Sequence, residues 1–458
     1  VQCTHVEKGE RAQFVNLLYG TDEAARQEYR LAAGKEGVVV YGQDGAWQVT
    51  LPPSTGAGIE LGRIVKRLDG FVPPAAGGST TSAQPGPGSA PAQGQKLWAY
   101  VAAGQKDPAK IDKITAITAG DLEGRGVASV VTGSQAGTVT CLGADGQAKW
   151  TFAAAGPVTT AAIGRLDQGQ APVVLVGSED CKVYALEATG KLRWSFEMPY
   201  YKGPGRVRVL LAADLDGDGR DETIAGGDNW RYYVLRPDGT ELWHYESVHP
   251  STAGAAADLD GDGKRELLCG TAYYWWHCAG PDGAKRWSHS VKGPHATVAL
   301  AARFQPGAEQ AAVFGAEDGN LYALDARGKL LWSSNVGDEV SGALALDVDG
   351  DGRDELLAAS KSFNLFALDG SGAARWRTNL GDSILSLAAA DLRGDGGRQI
   401  LAGCQDGNLY VLDLQGKILG RIEAGVPVAA TLGARLVAGA AEQILIRTGT
   451  GSVSAWKW

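Results

Sequence analysis

The chain has no apolar run long enough to cross a membrane as a helix, no CxxC pair and no HxH or HxxxH pair. The first absence excludes a spanning helix. The other two argue against a structural zinc site. Its six cysteines (Cys3, Cys141, Cys181, Cys269, Cys278 and Cys404) are too scattered over 458 residues for a small disulfide scaffold. Basic residues are also short: 43 Lys and Arg face 52 Asp and Glu, for a net charge of -9, which argues against a nucleic-acid partner. No leader is visible at Val1, as expected of a mature or trimmed chain.

Glycine is plentiful at 65 residues, and charged residues make up 21%. That composition describes a folded, turn-rich protein. Three nine-residue stretches stand out. Asp214-Leu215-Asp216-Gly217-Asp218-Gly219-Arg220-Asp221-Glu222 returns nearly unchanged from Asp258 to Glu266 and from Asp347 to Glu355. Carboxylates fall at positions 1, 3, 5 and 9: Asp214, Asp216, Asp218 and Glu222; Asp258, Asp260, Asp262 and Glu266; Asp347, Asp349, Asp351 and Glu355. Position 7 (Arg220, Lys264 and Arg353) can offer its backbone carbonyl. Glycines at positions 4 and 6 let the backbone curl around a small centre. All-oxygen ligands suit a hard cation, and calcium is expected, about three structural ions in all. Loops of this kind fill most readily where calcium is millimolar, so a secreted, periplasmic or cell-surface location follows. The loop is too short for an EF-hand, whose bidentate glutamate stands at position 12. It resembles the calcium loop of FG-GAP and VCBS propeller repeats.

The loops belong to a longer repeat. Aligned loop starts fall at Asp121, Arg165, Asp214, Asp258, Arg303, Asp347 and Asp391, in steps of 44, 49, 44, 45, 44 and 44 residues. Glycine or alanine recurs twelve positions on, at Gly133, Gly177, Gly226, Gly270, Gly315, Ala359 and Gly403. A turn and a tryptophan end six units, at Trp150, Trp194, Trp243, Trp287, Trp332 and Trp376, with Leu419 in that place in the seventh. Four short strands per repeat of this length indicate a β-propeller blade, and the fold class is all-β. The segment Leu321–Trp332 resembles the tryptophan-docking part of quinoprotein (PQQ-like) repeats. That resemblance implies blade structure only, since the adjacent cysteine pair expected near a quinone cofactor is absent.

Seven complete units span 114–425. Three more strands follow around 426–456, without a fourth, while Gln95–Tyr100 has the outer-strand pattern ahead of the first unit. The expectation is therefore eight four-stranded blades, the last closed by both chain ends; seven is the runner-up. Residues 1–70 read as a small β-rich extension, with strands near 13–19, 28–32, 38–41, 46–50 and 58–61 and a helix over 22–33 as the competing reading. This stretch is similar to the terminal β-region of heparinase II/III-type lyases, which implies the tail of a preceding module. Residues 71–94, rich in Pro, Gly and Ser, read as a flexible linker, and 95–458 as the propeller.

Function should lie where units depart from their own consensus, because propellers serve many functions. Four loops (from Asp121, Arg165, Arg303 and Asp391) have lost ligands and are expected to hold no calcium tightly. The third and fourth units carry an irregular aromatic and basic set: Tyr201, Lys202, Arg206, Trp230, Arg231, His249, Tyr273, Trp275 and His295, with Lys361 in the sixth. Such residues on one rim suit an anionic polysaccharide, aromatic faces stacking on sugars while cations pair with carboxylate or sulfate. Of the neighbours Trp275 and Trp276, one should point each way. A lyase using His249 or His295 with Tyr201 and Arg206 or Arg231, and a protein-interaction or assembly propeller, remain open alternatives. Oligomeric state is not legible.

Overall fold

The computed structural model describes residues 30–34, 37–42, 45–50, 63–67, 90–102, 112–291, 293–307 and 309–458. The chain divides into two compact units, Val1–Gln84 and Pro85–Trp458. Within the first, Arg30–Gly34, Gly37–Gly42, Gly45–Thr50 and Arg63–Arg67 form one antiparallel sheet in sequence order. Arg30–Gly34 is strand, so the helix reading over 22–33 is overturned there. The strands expected near 13–19 and 58–61 lie outside the described residues.

The second unit is an eight-bladed propeller of four-stranded antiparallel sheets. Blades are numbered here from Ile114. Blade 3 comprises Val207–Ala213, Glu222–Gly227, Arg231–Leu235 and Glu241–Glu246. Blade 4 comprises Ser251–Ala257, Glu266–Thr271, Trp275–Ala279 and Lys285–Ser290. The first strand of each blade packs against the first strand of the next, and that of blade 8 (Val428–Ala434) against that of blade 1 (Ile114–Gly120). The ring is therefore closed. Blade 8 takes its outer strand, Gln95–Val101, from the other end of the chain, paired with Ser452–Lys457. The pairing leaves no unpaired edge between the two chain ends.

Two sequence regularities have direct steric causes. Second strands are buried along their whole length in blades 1 to 7, so each is core on both faces. The recurring glycine on them is needed because a Cβ at Gly133 would stand 2.2 Å from Val158 of the next blade, and one at Gly403 2.4 Å from Val428. The outer-strand tryptophan locks each blade to its successor. Its indole N–H donates to a carbonyl in the next blade's turn between third and fourth strands, at 2.8–3.1 Å: Trp98 to Ala144, Trp150 to Ala188, Trp194 to Pro237, Trp243 to Pro281, Trp287 to Ala326, Trp332 to Gly370 and Trp376 to Leu414.

The exception at Leu419 has the same explanation. Blade 8 has no turn between its third and fourth strands, because those strands come from opposite chain ends. A tryptophan from blade 7 would have nothing to dock on. Instead Pro91–Gln93 runs alongside: the Gln93 N–H donates to the Arg421 carbonyl at 2.8 Å, and the Arg421 N–H to the Pro91 carbonyl at 3.0 Å. The end of the expected linker is thus pinned to the ring.

Alternating strand direction sorts the connections. Acidic loops and third-to-fourth-strand turns share one face of the ring. Hairpins between second and third strands, and the links between blades, share the other.

Candidate functional site

On the loop face, the three aspartates of each intact loop bring ligand oxygens within 4.8 Å of one another: Asp214, Asp216 and Asp218; Asp258, Asp260 and Asp262; Asp347, Asp349 and Asp351. The first aspartate also organises the turn. Asp214 accepts N–H bonds from Gly217 at 2.8 Å and Gly219 at 2.9 Å, with both glycines at positive φ, 81° and 84°.

Position 9 is buried. Glu222, Glu266 and Glu355 are 2–3% exposed, and each carboxylate accepts the N–H of position 2 (Leu215, Leu259 and Val348) at 2.9–3.0 Å. Burial, with the neighbouring Asp216, Asp218 and Asp214 adding to it, pushes Glu222 up to about 7. Blades 7 and 8 show what else position 9 does. There Gln399 and Gln443 accept the same N–H, from Leu392 and Leu436, and their amide NH2 donates to the carbonyl of position 7, Gly397 or Ala441. A glutamate cannot make that second bond. Oε1 of Glu266 is buried with no hydrogen-bond partner. Where glutamine supplies its own donor, Glu266 leaves a buried acceptor near Asp260 and Asp262. The side-chain set fits a hard divalent cation, with the carbonyls of Arg220, Lys264 and Arg353 at the seventh position. The expected aspartates stand together in each loop, while the bond made by the glutamine at position 9 in blades 7 and 8 is not visible in the sequence.

On the hairpin face, the third residue of every hairpin lies in the left-handed region. Four blades place glycine there: Gly137, Gly319, Gly407 and Gly451. The others place Cys181, Trp230, Tyr274 and Phe363, at φ of 69°, 66°, 59° and 70°. A side chain in that conformation costs about 1–2 kcal/mol. Val248, in the link between blades 3 and 4, is β-branched and also left-handed, at φ 69°.

Around these points the side chains form one continuous set. The Arg231 guanidinium stacks on Tyr201 at 3.7 Å, and Lys202 lies over both Tyr201 and Trp230, at 5.2 and 4.9 Å. Trp230 packs on His249 at 5.1 Å. His249 in turn meets Tyr273 and Tyr274, each at 5.8 Å, and Tyr273 meets His295 edge-on at 4.8 Å. Tyr273 and Tyr274 are 45% and 54% exposed. Burial, then the nearby Lys202, lowers the His249 pKa, so a neutral ring is favoured at the centre.

A buried hydrogen-bond group holds this surface from behind. His277 is 3% exposed. Its Nε2–H donates to the Ser247 carbonyl at 3.0 Å, while its Nδ1 accepts from Ser288 at 2.9 Å and Tyr245 at 3.1 Å. The Ser247 hydroxyl donates to the His249 carbonyl at 2.8 Å. Burial pushes the His277 pKa down to about 4, so it is neutral at pH 7.

The structure sorts the expected site residues. Tyr201, Lys202, Trp230, Arg231, His249, Tyr273 and His295 come together. Trp275 is exposed and Trp276 fully buried, as the strand alternation predicts. Arg206 is exposed at the edge of the inter-blade link. Lys361 belongs to blade 6 and is ion-paired with Glu339 at 2.6 Å, apart from the aromatic set. The groove is also less basic than its sequence suggests. Glu246 accepts from Lys202 at 2.6 Å and from the Tyr201 hydroxyl at 3.0 Å, and it also acts on Arg231, which has no ion pair within 4 Å among the described residues. Sequence reasoning missed Tyr274 and Val248. The signal for Tyr274 was a bulky residue aligned with hairpin glycines.

The model of the lambda-carrageenase beta-propeller domain matches residues 108–203 and 312–426. An FG-GAP-like repeat matches residues 214–269. No curated protein matches the chain. Among solved structures, Sqt1 from Saccharomyces cerevisiae is similar at 14% identity, covering 79% of this chain and 98% of its own, with a TM-score of 0.63. BamB from Moraxella catarrhalis is similar at 18% identity, covering 80% of this chain and 100% of its own, with a TM-score of 0.55. BBS1N, in complex with ARL6DN, shares 12% identity over 80% of this chain and 97% of its own, with a TM-score of 0.53. Blades 3 and 4, with Trp230, Arg231, His249 and Tyr273, fall between the two segments matched by the carrageenase domain, whereas Tyr201 and Lys202 lie at the end of the first, and the second unit is an eight-bladed β-propeller similar in part to that domain and to FG-GAP repeats.

Proposed function

We propose that this propeller is a secreted, periplasmic or cell-surface module, stabilised by calcium in its acidic loops, that binds an anionic polysaccharide on the hairpin face of blades 3 and 4. The observation that carries the reading is the strained aromatic pair. Trp230 and Tyr274 occupy positions where glycine serves four other blades without strain. Local strain retained on an exposed surface points to a contact the side chain makes with something else. Exposed aromatic faces stack on sugar rings. Arg231, stacked on Tyr201 and without an ion pair within 4 Å among the described residues, is the cation best placed for a sulfate or carboxylate. The match to a carrageenase propeller domain supports a polysaccharide ligand.

Affinity electrophoresis of the full chain through gels containing lambda-carrageenan, a polyuronate or neutral agarose tests this. The expected result is retardation by one or both anionic polymers, weakened in Arg231→Ala. Free migration in all three would leave a protein partner as the better reading. Release of unsaturated uronate, seen as ultraviolet absorbance, would assign lyase chemistry to this face.

A further inference from the structure

The intact loops look alike in sequence, but the fourth strand treats them differently. In blades 1 and 2, whose loops lack the full set of carboxylates, the residue before the docking tryptophan is a cation paired with the loop's position-3 acid. Lys149 pairs with Glu123, and Arg193 pairs with Asp167. In those blades the protein supplies its own positive charge. In blade 3 the corresponding residue is Leu242, and no fourth-strand cation reaches the Asp214 loop, whose ion pair is the exposed contact of its own Arg220 with Asp218 and leaves the buried Glu222 without an arginine in ion-pair contact. In blade 4 it is Arg286, which lies against Gly280 and acts on Glu266 only through space, with no ion pair within 4 Å among the described residues.

Blade 6 combines the two arrangements. Its loop keeps Asp347, Asp349, Asp351 and Glu355, yet Arg375 pairs with Asp349 and, at 3.3 Å, with Oε1 of the buried Glu355. That oxygen is the counterpart of the one left unpartnered in Glu266. The guanidinium thus takes the carboxylate oxygens a metal would use, and calcium must displace it to bind.

We propose that Arg375 is a built-in counter-cation of the Asp347 loop, so that the Asp214 and Asp258 loops take calcium first and the Asp347 loop binds it more weakly. The inference rests on the reading of these loops as calcium sites. It implies two kinds of acidic loop in one ring: those completed by calcium, and one completed from within and open to calcium only at higher concentration.

Calorimetric titration of the full chain with calcium, after removal of metal by chelation, tests it. The wild type should take up two equivalents, with a third about tenfold weaker. Arg375→Leu, which installs the residue already tolerated at Leu242 and Leu331, should bring the third site to the affinity of the others. Leu242→Arg should weaken one of the two strong sites. Three equal sites in the wild type, or an unchanged third site in Arg375→Leu, would overturn this inference alone. No calcium uptake by wild type or variant would overturn the calcium reading, and this inference with it.

Discussion

The two faces of the ring depart from their repeat in opposite ways. On the loop face, the features lost in blades 1, 2, 7 and 8 that are described above are replaced locally. Where glutamate gives way to Gln399 or Gln443, the amide bonds the carbonyl beyond it. Where ligands are missing around Asp167, Arg193 supplies the charge. On the hairpin face, Trp230, Tyr274 and Val248 add strain, and nothing in the fold requires it. Local compensation marks positions kept for stability. Strain at residues that also join the aromatic set, unlike that at Phe363 on blade 6, marks positions kept for contact.

The largest expected effect tests how far the loop-face lock depends on its partner. Trp376→Ala should cost about 3 kcal/mol in urea unfolding, losing indole packing and the bond to Leu414. Leu419→Ala should cost about 1 kcal/mol, because no turn lies beyond Leu419 to receive it. Equal costs would mean that docking is not what the tryptophan supplies.

Next comes acid. His277 holds the link that carries His249, and its folded pKa is near 4 against 6.5 unfolded. The unfolded chain takes up a proton below pH 6.5 and the folded one only near 4. The His277 contribution to stability should therefore fall by about 3 kcal/mol as pH drops across that window, opposed by the buried Glu222, whose folded pKa of about 7 favours the folded state as pH falls toward 4.5. His277→Gln should remove that fall from a pH series of unfolding midpoints, leaving the opposite slope contributed by Glu222 on the loop face. A slope unchanged by the substitution would remove His277 from the account.

A smaller effect converts one loop type into the other. Glu266→Gln should stabilise the chelator-treated protein by about 1 kcal/mol, since the amide can reach the Lys264 carbonyl as Gln399 reaches Gly397. The same variant should show a smaller rise in melting temperature on adding calcium. The smallest effect is on the hairpin face. Phe363→Gly should gain up to about 1 kcal/mol by relieving a left-handed residue, with no change in glycan binding, because Phe363 lies on blade 6.

The blade count, the shared eighth blade and the grouping of the loop aspartates were legible because each depends on spacing along the chain. The missing tryptophan at Leu419 was visible as an anomaly, but its cause is topological and appears only once Gln95–Val101 is seen to close the ring. The pairing of Lys202 with Glu246, 44 residues apart, and of Arg375 with Asp349, 26 apart, depends on which side chains the blades bring together. No local pattern encodes it. For that reason the groove reads as more basic in sequence than it is in the structure. Tyr274 could have been found by aligning hairpins, since only its neighbours at the same repeat position reveal that glycine is the unstrained choice.

The contrast between the faces is tested most directly by Trp230→Gly/Tyr274→Gly, with unfolding free energy and affinity for lambda-carrageenan measured on the same preparation. The account predicts a chain at least as stable as wild type, with binding reduced about tenfold or more. A clear loss of stability with binding retained would contradict it, placing the two aromatics among the structural elements of the blade.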